Sequence, residues 1–80
     1  MDQTRKKILQ LIDARRPLPP PAQRTELRKA ARLRLQDIAD LIGVTAPAVW
    51  NWERGNYEPK AEHYETYRDL LETLATRAAR

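Results

Sequence analysis

Gly43-Val44-Thr45-Ala46-Pro47-Ala48-Val49-Trp50-Asn51-Trp52-Glu53-Arg54-Gly55 reads as a tight turn, a short helix and a glycine stop. Gly43 tolerates the positive φ of a sharp interhelix turn. The Thr45 hydroxyl is placed to accept an orphan backbone N–H at the start of a helix. Pro47 lies in the first helical turn, where a missing N–H costs nothing. Gly55 stands where a helix end favours the left-handed conformation. Val49 and Trp52 are three residues apart, so one face can bury both. The rest of the helix carries Thr45, Ala46, Pro47, Ala48, Trp50 and Asn51. Such a helix is too short to be stable alone. It needs a neighbour to hold one face, and it presents the other.

The segment before it supplies that neighbour. Leu35-Gln36-Asp37-Ile38-Ala39-Asp40-Leu41-Ile42 has apolar residues at 35, 38, 39, 41 and 42, a helical spacing that turns Asp37 and Asp40 outward. Two short helices joined by Gly-Val-Thr predict a helix-turn-helix. Leu27-Arg28-Lys29-Ala30, then Ile38-Ala39-Asp40-Leu41-Ile42-Gly43-Val44-Thr45, then Trp52-Glu53-Arg54-Gly55 and Pro59 resemble the helix-turn-helix family of Cro and the phage repressors, also called the xenobiotic-response-element family. The resemblance runs from about Glu26 to Pro59, a little under half the chain. Three positions depart from it. The family often has Gly in place of Arg32, Ser or Thr in place of Arg34, and a DNA-touching Gln in place of Leu35.

Composition bounds the rest. The 80 residues suffice for one small domain, and with no Phe and no Cys the core must be aliphatic, helped by two Trp and three Tyr. Disulfides and thiolate metal sites are impossible, and a single His forms no cluster. No cofactor or metal is expected. No signal peptide, membrane span or ligand domain is visible, so a cytoplasmic protein without membrane or small-molecule partner is expected. Two Gly, many charges and helical periodicity argue for an all-α small helical bundle. The net charge is +4, but residues 1–34 hold ten Lys/Arg against three Asp/Glu, and residues 35–80 hold five against eight. That asymmetry points a basic arm or face at a polyanion.

Residues 1–16 read as an N-terminal basic amphipathic helix, with Ile8, Leu9, Leu11 and Ile12 as its stripe and Arg5, Lys6, Lys7, Arg15 and Arg16 around it. Residues 17–22 form a proline-rich linker. The domain proper is expected over 23–80. Its first helix, 23–33, turns Leu27, Ala30 and Ala31 inward and Arg24, Arg28, Lys29 and Arg32 outward. Residues 60–78 read as one unbroken helix, with Ala61, Tyr64, Tyr67, Leu71, Leu74 and Ala78 in a stripe widened by Leu70 and Ala75. Either the N-terminal helix or a second subunit is expected to cover the excess. His63 is expected to be exposed.

The resemblance implies function. A helix-turn-helix lays its second helix, here 46–54, in the major groove of double-stranded DNA. The implied base-facing residues are Thr45, Ala46, Pro47, Ala48, Trp50 and Asn51. Asn51 can pair with adenine N6 and N7 together, whereas the alanines and proline offer only apolar contact, most naturally to thymine methyls. Arg28, Lys29, Arg32, Arg34, Gln36, Asn56 and Lys60 are the implied phosphate contacts. The family also implies a partly buried ion pair between Arg28 and Glu53. The expected protein is a sequence-specific transcriptional regulator, a repressor or activator, working as a homodimer on the nucleoid. The alternative is an antitoxin or adaptor module whose main partner is another protein. An enzyme fails on inventory: no nucleophile–His–carboxylate set and no glycine-rich phosphate loop are present.

Overall fold

The computed structural model describes residues 2–14 and 17–79, with the side chains of residues 10–14 outside that description. Within these residues there are five α-helices and no strand: α1 Asp2–Ala14, α2 Pro21–Ala30, α3 Leu35–Ile42, α4 Ala46–Arg54 and α5 Ala61–Ala78. None of these helices is long and apolar enough to cross a membrane.

Local chemistry sets the boundaries. Helix α2 begins at Pro21, two residues before the expected start, because the Pro20 carbonyl accepts from the Gln23 and Arg24 amides at 2.9 and 3.2 Å. Proline suits that first position, where no N–H is needed. Helix α3 opens with the Asp37 carboxylate accepting from the Arg34 amide at 2.7 Å. Helix α4 opens with Thr45 Oγ1 accepting from the Ala48 amide at 3.3 Å. Helix α5 runs unbroken from Lys60, whose carbonyl accepts from both His63 and Tyr64.

Helices α2, α3 and α4 stop alike. Each is followed by a left-handed residue, then by an amide reaching back five residues: Leu33 to Arg28, Val44 to Ala39 and Asn56 to Asn51, at 3.0–3.1 Å. This is the bond that satisfies the last orphan carbonyls of a helix. The left-handed residues are Gly43 (φ 87°), Gly55 (φ 72°) and, unexpectedly, Arg32 (φ 58°). Gly55 has a second reason to be glycine, since a Cβ there would lie 2.9 Å from Pro21 Cγ.

The core is Ile38, Ala39, Val49, Trp52, Tyr67 and Leu71, all nearly inaccessible. Leu18, Leu27, Leu33, Leu35, Ile42, Val44, Ala48 and Leu70 pack around it. Trp52 and Tyr67 meet with ring centroids 4.8 Å apart at 47°, a tilted aromatic contact at the centre. Helix α5 rests on α2 and α3, so Tyr67 and Leu71 of its stripe are spent within the chain. Ala61, Ala75 and Ala78 are exposed, which narrows that stripe.

Several inward and outward assignments change. Arg24 is 4% exposed rather than outward, and Ala30 is exposed rather than inward. Leu41 is 69% exposed, because burying Ile38 and Ala39 turns its side of α3 to solvent. His63 is half-buried, with Nε2 3.4 Å from a Glu62 carboxylate oxygen. On α1, Ile8 and Leu9 are exposed along with Arg5, Lys6 and Lys7. The Leu11 and Ile12 side chains, Arg15 and Arg16 lie outside the described residues.

Two predictions follow from this packing. A side chain in the left-handed region carries a penalty of about 1–2 kcal/mol. Arg32→Gly therefore holds or raises the melting temperature, while Arg32→Val lowers it; a clear loss for the glycine variant would contradict the strained cap. Tyr67 Oη is buried with no hydrogen-bond partner among the described residues. Burial, then the Glu53 charge, raises its pKa well above the ordinary value of about 10. The fold thus favours the protonated phenol, and that stability is complete below the unfolded pKa and shrinks as pH climbs above it. Tyr67→Phe is expected to keep neutral-pH stability and flatten the alkaline loss in urea titrations. An unchanged alkaline limb would contradict this.

Candidate nucleic-acid interface

A period of 3.6 residues divides α4 into two arcs. Ala48, Val49, Trp52 and Glu53 lie on one side; Val49, Trp52 and Glu53 are buried there, and Ala48 packs against the core. Ala46, Pro47, Trp50, Asn51 and Arg54 occupy the other. Ala48 was expected among the base-facing residues, and its place against the core removes it from that face.

The inner arc is held by charge. The Arg28 guanidinium grips the Glu53 carboxylate along one edge with two donors, Nε to Oε2 at 2.6 Å and Nη2 to Oε1 at 3.0 Å. Thr25 Oγ1 donates to the same Oε1 at 3.0 Å. Arg28 Nη1 donates to the Leu33 carbonyl at 2.9 Å, fastening the α2–α3 turn to the same centre. The two side chains are only 13% and 7% exposed. The Glu53 hydrogen bond raises the Arg28 pKa, so the guanidinium stays charged at every working pH. Arg28 was also expected to contact phosphate. Its bonds to Glu53 and Leu33 turn the guanidinium inward, so that role is withdrawn.

Arg24 makes a second strap that the sequence did not announce. Its Nε donates to Pro19 O at 2.7 Å, Nη1 to Trp52 O at 2.8 Å and Nη2 to Glu58 Oε1 at 3.3 Å. One buried side chain thereby joins the proline linker, the last turn of α4 and the loop that follows it.

The outer arc is differently built. Pro47 is exposed and Ala46 half-exposed. Trp50 is 43% exposed, with the Arg54 guanidinium 4.6 Å from its ring centroid, a cation–π stack. The Trp50–Arg54 spacing of one helical turn was the available signal for this pair. Asn51 is tied on both sides: its Nδ2 donates to Pro47 O at 2.9 Å, and its Oδ1 accepts from Asn56 Nδ2 at 2.8 Å. One N–H and one lone pair of the amide remain.

Of the expected phosphate contacts, Lys29, Arg32, Arg34, Gln36, Asn56 and Lys60 are exposed. Arg34 is 80% exposed and pairs with Asp37 at 3.0 Å, which lowers the Asp37 pKa and raises its own. Gln36 donates to Asp40 Oδ1 at 2.7 Å. Tyr57 is half-exposed beside the α4–α5 loop. No group of three His, Asp or Glu among the described residues is placed to hold a metal ion.

No protein-family model, curated protein or solved structure matches this chain, so its site is read from its own geometry.

Removing one partner of a buried pair strands the other charge, at a cost of about 3–5 kcal/mol. Arg28→Ala and Glu53→Ala are each expected to lose most of that range by chemical denaturation. Lys29→Ala stays within about 0.5 kcal/mol, as surface changes do. Equal losses for Arg28→Ala and Lys29→Ala would contradict the clamp.

Proposed function

We propose that α3, the Gly43–Val44–Thr45 turn and α4 form a helix-turn-helix of the Cro and phage-repressor kind, and that the chain is a sequence-specific double-stranded DNA-binding regulator. The observation that carries this reading is the division of α4. Buried Glu53, Trp52 and Val49 fix one side of the helix, leaving Ala46, Pro47, Trp50 and Asn51 together on the other. A helix held so firmly on one side and left bare on the other is what a groove-reading element requires.

Exposed Lys29, Arg32, Arg34, Asn56 and Lys60 then take phosphates, which supply affinity and register but not sequence. Asn51 takes an adenine with its remaining N–H and lone pair. One such contact discriminates by only about 1–3 kcal/mol, so a homodimer on two half-sites is the natural working state. Regulation follows from occupying a promoter.

A second reading has its own observation. Ile8 and Leu9 sit exposed beside Arg5, Lys6 and Lys7 on α1, a surface that suits an antitoxin or adaptor with a protein partner.

Fluorescence anisotropy with duplex DNA from upstream of the chain's own gene, against scrambled duplex, tests the leading reading. The expected preference is about a thousandfold or more, falling steeply with salt. Asn51→Ala is expected to lose about 1–3 kcal/mol on the specific duplex alone. Lys29→Ala weakens both duplexes and flattens the salt slope by about one unit. Weak, equal binding to both would overturn the reading and favour the protein-partner one.

A further inference from the structure

Arg28 and Arg34 spend their guanidinium groups on carboxylates, those of Glu53 and Asp37. Arg54, on the outer arc of α4, does not. Among the described residues no carboxylate lies within ion-pair distance of it. Its guanidinium lies instead over the Trp50 ring, 4.6 Å from the centroid, and both residues are exposed. Helical side chains lean toward the N-terminus, and this contact carries the Arg54 charge back one turn along α4. The cation thus stands on the arc that also carries Asn51. An aromatic face takes up the charge without taking a hydrogen bond from it, so the N–H donors remain for a ligand.

The stack also removes much of the freedom of a long side chain before any ligand arrives, so less is lost when its donors are used. A planar fork of donors held this way suits a base with two acceptors side by side. In the major groove guanine alone offers that, through O6 and N7. Adenine sets an amino donor beside its N7, cytosine offers a donor, and thymine offers one acceptor. We infer that Arg54, seated on Trp50, reads a guanine in each operator half-site and determines specificity alongside the adenine contact of Asn51. This rests on the DNA-binding reading above and specifies its target. Trp50 is a positioning residue here, since it touches the guanidinium rather than the guanine. A phosphate would need only the charge, whereas a guanine needs the planar fork.

The test uses the full chain and a random-sequence duplex library. Selection with the unaltered chain is expected to yield a motif with a fixed G·C pair in each half-site. Selection with Arg54→Lys, which keeps the charge but not the fork, should yield the same motif with that pair relaxed. In the selected duplex, changing the fixed guanine to adenine should weaken the unaltered chain about five- to hundredfold and Arg54→Lys less than about twofold. Replacing it with 7-deazaguanine, which removes N7 and leaves base pairing intact, should weaken the unaltered chain about fivefold. Trp50→Ala should lower the guanine-over-adenine ratio about two- to fivefold, and Trp50→Phe, which keeps a ring, should retain most of it. A motif without a fixed guanine, indifference to 7-deazaguanine, or an Arg54→Lys chain that still selects the guanine would overturn the inference while leaving DNA recognition intact. An unchanged ratio in Trp50→Ala would overturn the positioning role of Trp50. No motif from any chain would overturn the DNA-binding reading itself, and this inference with it.

Discussion

Two donors from Arg28 and one from Thr25 converge on the carboxylate of Glu53, and Glu53 stands on the inner arc of α4. That charge is taken out of water, so its partners must stay within hydrogen-bond distance. The consequence is geometric. Helix α4 has nine residues and cannot persist alone. Clamped to α2 through Glu53, it has one orientation, and whatever its outer arc presents is presented at one angle. Arg28 also holds the Leu33 carbonyl, so the same guanidinium sets the turn that brings α3 against α4.

Arg24 reinforces the arrangement from the other end. By gathering Pro19, Trp52 and Glu58 it locks the last turn of α4 to the linker and to the following loop. The apolar core of Ile38, Val49, Trp52, Tyr67 and Leu71 supplies the burial energy. The two arginines supply orientation, which a small non-directional core provides poorly. An outer face of two small residues, one tryptophan, one amide and the stacked Arg54 can present these groups together only if the helix is held at one angle.

Much of this was legible in the residues. Thr45, Pro47 and Gly55 mark both ends of α4 because each has local chemistry that a helix terminus uses. The helical period then sorts Val49 and Trp52 from Ala46, Pro47, Trp50 and Asn51 without any knowledge of neighbours, whereas the inward place of Glu53 was implied by the resemblance alone. The uninterrupted run from Ala61 to Ala78 reads as one helix for the same reason. What stayed hidden depends on tertiary context. Arg32 carries no chemical mark of a left-handed residue; its conformation follows from the five-residue bond that closes α2. Arg24 looks like any polar residue on an amphipathic helix, and only the linker and loop around it make it internal. Leu41 fits the apolar period of α3, yet it falls off the arc on which Ile38 and Ala39 are buried and Leu35 and Ile42 pack beside them. The Asn51–Asn56 bond crosses a helix end, where no period applies.

On the proposed reading, the clamped helix meets DNA with its outer arc. Backbone amide mapping by two-dimensional NMR, titrating the labelled full chain with its best-binding duplex, checks this. The largest shifts are expected at Thr45, Ala46, Trp50, Asn51 and Asn56, with Lys29, Arg32 and Arg34 following and the exposed acidic side of α5 at Glu65 and Asp69 still. Shifts centred on α1 or α5, with α4 silent, would contradict it.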